Sequence, residues 1–288
     1  MKRIFVLVLF AWSLLIALQA QELVFQDKDG IVRWKKDNQE VALFGANYCL
    51  PSSCDYRAAG YVNADRKAMV REDMDHFKRM GWDALRVCFW GDFQNSDPDG
   101  HLIDNDHLNM MDYLIAEASK RGIYMLFSPI VTYDSQFPEM NDNSNTGYAK
   151  LFAKNTLIHD EKAIKCQINY MTDILNHVNR YTGRCIKDEP NIIYVEIINE
   201  PTQFPNDIPG MVKYINRMCK AIKDTGCKKL IYYNLSQNFD VAPAIQKSMV
   251  DGATYAWYPQ ALNNGHRFMD NGLHFVDRYE PLVEDGLK

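Results

Sequence analysis

The chain has 288 residues, 47% of them hydrophobic and 24% charged, with a formal net charge of −5. That balance is ordinary for a globular protein with a sizeable core, and the absence of a basic footprint argues against nucleic acid as a partner. A barrel of alternating strands and helices runs to this length as one unit.

The chain opens on a basic pair, Lys2 and Arg3, an apolar run, "IFVLVLFAWSLLIAL", and a small-residue pattern, "ALQA", ending at Ala20. This order predicts an export signal over residues 1–20 and a secreted or periplasmic protein. The run is short for a membrane span of ~20 residues, and an uncleaved anchor is the alternative reading. Residues 21–288 then form a single catalytic-size domain.

"IVRWKKDNQEVALF" alternates apolar and polar residues and predicts a hairpin about Asp37-Asn38, followed by a strand in "ALFGANY". Helical spacing covers "RKAMVREDMDHFKRM" and stops at Gly81. The strand "ALRVCFW" follows, then a polar loop, "SDPDGHLIDND", and the helix "HLNMMDYLIAEASKR" stopped by Gly122. Next come the strand "IYMLFSPI", a long polar loop over residues 131–159, and the helix "EKAIKCQINYMTDILNHVNRY". The run "NIIYVEII" is a buried strand, followed by the helix "GMVKYINRMCKAIKDTG" and the strand "KLIYYNLS". A short helical piece near "APAIQKSM", the strand "ATYAWYP" and a helical stretch, "HFVDRYEPLVED", complete the chain.

Six strands, apolar throughout, alternate with helices. Strands buried on both faces imply a parallel sheet covered by helices. No glycine-rich phosphate fingerprint follows a strand, which counts against a nucleotide-binding doubly wound sheet. In a (β/α)8 barrel the C-terminal strand ends carry the site, and here they carry Asn47 and Tyr48, Trp90, Asn199 and Glu200, Asn234, and Trp257 with Tyr258. The expected fold is therefore an α/β TIM barrel, with about six of its eight repeats in this chain.

Seven cysteines are present. Cys49 and Cys88 fall in strand-like runs and read as buried thiols, while Cys166 with Cys185, or Cys219 with Cys227, flank helix ends and are candidate bridges. No His/Cys cluster has zinc-like spacing, so neither a metal nor another cofactor is expected. His101, His107 and His159 read as solvated loop residues. Asn234-Leu235-Ser236 is a glycosylation sequon at a strand end that faces the expected cleft.

The stretch "NIIYVEIINEPTQFP" ends a buried strand on an amide, a carboxylate and a proline. It resembles the Asn-Glu-Pro signature of the clan A glycoside hydrolases, family 5 in particular, and the resemblance extends over nearly all of residues 21–288. "LFGANY" is similar to the family's first barrel strand and "LRVCFW" to its second, where Arg86 matches an inward arginine near the catalytic carboxylates. "YAWYP" is similar to its sixth, where Tyr258 matches an aromatic hydroxyl. The resemblance implies a monomeric retaining glycosidase acting on a β-linked polysaccharide such as a mannan or glucan. Glu200 would be the general acid/base, Asn199 would bind the sugar 2-hydroxyl, and Asn47, Trp90, Trp257 and Tyr258 would line the substrate cleft.

Such an enzyme needs two carboxyl groups about 5–5.5 Å apart. Glu196 is no partner for Glu200, because four strand residues at ~3.3 Å each separate their Cα atoms by about 13 Å. Glu196 is expected deep in the barrel, paired with an inward base such as Arg86 or hydrogen-bonded. The family's nucleophile ends the seventh barrel strand, and no such strand is legible before Lys288, so the expectation is a chain incomplete at its C-terminus and inactive as given. A non-catalytic glycan-binding barrel or an inactive fragment is the alternative reading. A barrel lyase or aldolase would need a strand-end lysine or a metal cluster, and neither is seen.

Overall fold

In a computed structural model, residues 23–49, 63–131, 147–236 and 239–255 are described. The described elements through Thr254 belong to one unit. Two short strands, β1 (Val24–Gln26) and β2 (Val32–Trp34), pair antiparallel. A six-stranded sheet follows in sequence order: β3 (Gly45–Cys49), β4 (Ala84–Cys88), β5 (Tyr124–Ser128), β6 (Ile192–Glu196), β7 (Leu230–Asn234) and β8 (Gly252–Thr254). Every pairing in it is parallel. These are the six strands expected from the apolar runs, in barrel order; among the described residues the sheet does not close.

Between the strands lie α1 (Arg66–Arg79), α2 (Gly91–Gln94), α3 (Asp106–Lys120), α4 (Glu161–Asn176), α5 (Ile208–Asp224) and α6 (Ala242–Gln246). The four long helices start the same way. The side chains of Asp65, Asn105, Asp160 and Asp207 accept hydrogen bonds from first-turn amides that have no helical partner. Gly81 and Gly122, at φ 78° and 65°, take the left-handed turn that ends α1 and α3. The strands are buried as a two-sided sheet requires: Met125, Phe127, Val195 and Ile231 have no exposed surface, and neither have Met111, Tyr170 and Ile215 on the helices that cover them. This apolar layer supplies the main driving force for the fold.

One local expectation is extended and two are corrected. The hairpin about Asp37-Asn38 forms, with the Trp34 amide donating to the Gln39 carbonyl and the Val41 amide to the Val32 carbonyl at 2.8 Å each, and a further hairpin precedes it, turning at residues 27–30. Asp27 Oδ1 accepts from the Asp29 and Ile31 amides at 2.9 and 3.0 Å, its Oδ2 takes Arg33 Nε at 2.6 Å, and Gly30 supplies φ 82°. The turn at Asn38, at φ 61°, brings Arg33 and Glu40 into the antiparallel bridge between the Trp34 and Val41 amide bonds. Helix α4 stops at Asn176, five residues short, because buried Asp112 draws the following segment away. His177 Nε2 and Arg180 Nε both lie 2.9 Å from its carboxylate, and His177 takes an extended ψ of 133°. Finally, Cys166, Cys185, Cys219 and Cys227 are free thiols, so neither candidate bridge forms.

Candidate active site

The polar residues at the C-terminal strand ends converge on Arg86, in the middle of β4. Nη2 donates to Oε1 of Glu196 and, at 2.5 Å, to Oδ1 of Asn199. Nη1 donates to Asn47 Oδ1 and approaches Cys88 Sγ, both at 3.1 Å, and Nε reaches Glu196 Oε2 at 3.4 Å. Arg86 pairs with Asn47 in register, which places both on the sheet's inner face. Burial works against the guanidinium's charge, but Glu196, Cys88 and Glu200 outweigh it and hold Arg86 above its ordinary pKa.

Glu196 has no exposed surface. Besides Arg86, its carboxylate accepts from Ser128 Oγ at 2.7 Å, Asn234 Nδ2 at 3.3 Å and Thr254 Oγ1 at 2.5 Å. One residue of β6 is thereby tied to β4, β5, β7 and β8. The deep, arginine-paired position expected for it is what the structure shows, and its oxygens are occupied by donors on every side. Ser128 and Thr254 escaped the sequence reading, since nothing in an apolar run marks its last hydroxyl as a ligand of a distant carboxylate.

Past Glu196 the chain keeps alternating its attachments. The Ile197 amide donates to Tyr232 and the Asn199 amide to Ile130, each at 2.9 Å. Asn199 is 4% exposed; its Oδ1 faces Arg86 and its Nδ2 lies 3.4 Å from the Val131 carbonyl. Glu200 then turns into the left-handed region at φ 40° and is half-buried. Trp90 beyond β4 and Ser236 beyond β7 do the same, at φ 55° and 54°. Non-glycine residues in this region cost of order 1–3 kcal/mol each and cluster at functional sites. Here three of the five among the described residues follow C-terminal strand ends.

Gln203 holds the segment after Glu200 against β7: its Nε2 donates to the Asn234 carbonyl at 2.9 Å, and its Oε1 accepts from Tyr233 at 3.3 Å. Trp90 is 5% exposed and belongs to the core cluster. Its turn depends on Gly91, where a Cβ would stand 1.6 Å from Tyr170 Oη. Asn47 is exposed beside Arg86. Trp257 and Tyr258 lie outside the described residues.

Two side readings also change. His107 is buried, with Nε2 at 2.5 Å from the Phe89 carbonyl, rather than solvated. Asn234, the sequon asparagine, is 2% exposed and donates to Glu196, which leaves its amide no room for a glycan. Among the described residues no cluster of His, Cys, Asp and Glu could hold a metal ion.

The family model for cellulase, glycosyl hydrolase family 5, matches residues 34–259. The chain belongs to glycosyl hydrolase family 5. A mannan endo-1,4-beta-mannosidase 4 of Oryza sativa subsp. japonica is 27% identical to this family 5 chain over 130 residues, 42% of it and 27% of the relative. Mannan endo-1,4-beta-mannosidase 2 of Arabidopsis thaliana is 28% identical over 130 residues, 43% of this chain and 30% of that one. The matched stretch thus spans less than a third of either relative. The endo-1,4-beta-mannanase of Rhizomucor miehei superposes with a TM-score of 0.61 at 19% identity, covering 85% of this chain and 74% of that one. The same fold is therefore shared, a TIM barrel of which β3–β8 are the first six strands.

Proposed function

We propose that this family 5 chain carries the acid/base half of a secreted, monomeric retaining glycosidase that cleaves O-glycosidic bonds in a β-linked polysaccharide. Mannan is the first candidate, since the curated relatives quoted above bear that name. The observation that carries the reading is the pair at the end of β6: Asn199 clamped by Arg86, followed by Glu200 in a left-handed turn. In this reading the Glu200 carboxyl protonates the departing glycosidic oxygen while a second carboxylate attacks the anomeric carbon. Glu200 then takes a proton from the water that releases the sugar. Glu196 is not the attacking group, because Arg86, Ser128, Asn234 and Thr254 occupy its oxygens. The attacking carboxylate comes from outside the described residues. Asn199 contacts the sugar 2-hydroxyl, with Asn47 and Tyr258 lining the cleft. The basic pair Lys2-Arg3 and the apolar run behind it support export.

The test is Glu200→Ala in the full-length protein. Hydrolysis of β-mannan is expected to fall by about 10²–10⁴-fold, while an aryl mannoside with an activated leaving group keeps its first step and azide restores turnover as glycosyl azide. Unchanged mannan hydrolysis would remove Glu200 from the mechanism. Glycan binding without hydrolysis in the unsubstituted protein would favour the non-catalytic barrel instead.

A further inference from the structure

The cage around Glu196 and the orientation of Arg86 raise one question: why bury a carboxylate four residues before another that is meant to exchange protons? Every group that hydrogen-bonds Glu196 is a donor: two guanidinium nitrogens, two hydroxyls and an amide. Such a cage fits an acceptor-only carboxylate and no neutral isostere. Among the described residues, the hydrogen bonds of Arg86 go to Glu196, Asn199, Asn47 and Cys88, and none goes to Glu200. Yet Arg86 grips the residue next to Glu200, since its Nη2 donates to Asn199 Oδ1 at 2.5 Å, and the Glu200 charge helps hold the guanidinium ionised.

We propose that Glu196 is a positioning residue that serves as the counter-charge of Arg86, keeping the guanidinium turned to itself and to Asn199 so that it does not pair with Glu200. This rests on the reading of Glu200 as the acid/base. A permanent cation beside a carboxyl group favours the ionised form, and a general acid has to keep its proton until the leaving oxygen takes it. With Glu196 in place, Arg86 and Glu196 form a nearly neutral unit that orients Asn199 without stripping Glu200 of that proton. The other titratable groups facing Glu196 are Cys88 on β4, with Cys49 beside it on β3, and Tyr194 on its own strand. The Cys49 contact and burial push the Cys88 thiol well up, and burial raises Tyr194, so both stay neutral through the working range. From β5, β7 and β8 come only the uncharged Ser128, Asn234 and Thr254.

The experiment follows the Glu200 carboxyl by ¹³C NMR titration in the full chain, which needs no turnover, together with the pH profile of kcat/KM on an aryl mannoside. In Glu196→Gln, Glu200 is expected to titrate about one pH unit lower, and the basic limb of kcat/KM moves down with it. Glu196→Asp, which keeps the charge, stays at the native value. If Glu196→Gln does not fold, the double variant Arg86→Met/Glu196→Gln removes both charges together, and Glu200 is then expected within about half a unit of native. A Glu200 titration unmoved in Glu196→Gln, or lowered by a full unit in the double variant, overturns the proposal. A shifted titration in a protein without glycosidase activity upholds the counter-charge and sinks the enzymatic reading; normal activity with an unshifted titration does the reverse.

Discussion

The two ends of β6 bury charge in opposite ways. At its C-terminal end the Glu196 carboxylate faces a guanidinium and three neutral donors drawn from four strands. At its N-terminal end the Lys229 ammonium, 5% exposed, donates to the carbonyls of Glu189 and Ile192 at 2.8 and 2.6 Å. One charge meets its opposite; the other is solvated by backbone dipoles. Burial accordingly pushes Lys229 down to about 8. Glu189 nearby, also buried, receives Thr182 Oγ1 on one oxygen while Oε2 has no hydrogen-bond partner, and burial raises its carboxyl. One buried charge is matched by an opposite charge, whereas the other two groups are held by neutral partners and shifted by burial toward their neutral forms.

The contrast breaks most sharply with Glu196→Ala. Removing the carboxylate strands Arg86 and three donors, so the loss of unfolding free energy in urea should be about 3–5 kcal/mol. A loss under 1 kcal/mol would mean that Arg86 finds a replacement partner.

Lys229→Met takes a donor from the Glu189 and Ile192 carbonyls, the first of which keeps the Ile192 amide at 3.2 Å; the cost is about 1–3 kcal/mol, and it should depend on pH. Between about 8 and the ordinary value of 10.5, the unfolded chain still holds a proton that the folded chain has released. Stability of the native protein relative to the variant therefore rises with pH across that window, by at most ~1.4 kcal/mol per pH unit. Parallel stability–pH curves for the two proteins would show that Lys229 titrates normally.

Glu189→Gln should do least. Its raised carboxyl keeps a proton in the folded state that the unfolded chain loses from 4.5 upward, so native stability falls as pH rises through that range. The amide abolishes this loss but weakens the Thr182 contact, and thermal melts at neutral pH should differ by about 1 kcal/mol or less. At pH 4 the native protein should gain on the variant. A difference independent of pH would place the ionised form of Glu189 in a better-solvated site than its burial implies.

Much of this was legible in the sequence because the signals were local. Apolar runs of five or so residues marked the six strands, and Gly81 and Gly122 marked the ends of α1 and α3. The same runs placed Arg86 on β4 and Glu196, Asn199 and Glu200 on and just beyond β6, and strand geometry alone separated Glu196 from Glu200. Long-range contacts escaped. Nothing near His177 announces that Asp112, 65 residues earlier, will end α4, and nothing in "GAT" announces Thr254 as a ligand of Glu196. The burial of Trp90 was not legible either, because a tryptophan at a strand end looks the same whether it faces solvent or the core.

The cage around Glu196 also bears on how the protein folds. Its arginine lies 110 residues before it in the chain and its threonine 58 residues after. Contacts of such separation form only after much loop-closure entropy has been given up, which slows folding. Until β8 docks, the carboxylate lacks one of its donors, and Arg86 and Asn199 rest on an unfinished frame. A chain released before Thr254 has emerged therefore holds Arg86 and Asn199 on a scaffold that lacks one of the straps on Glu196.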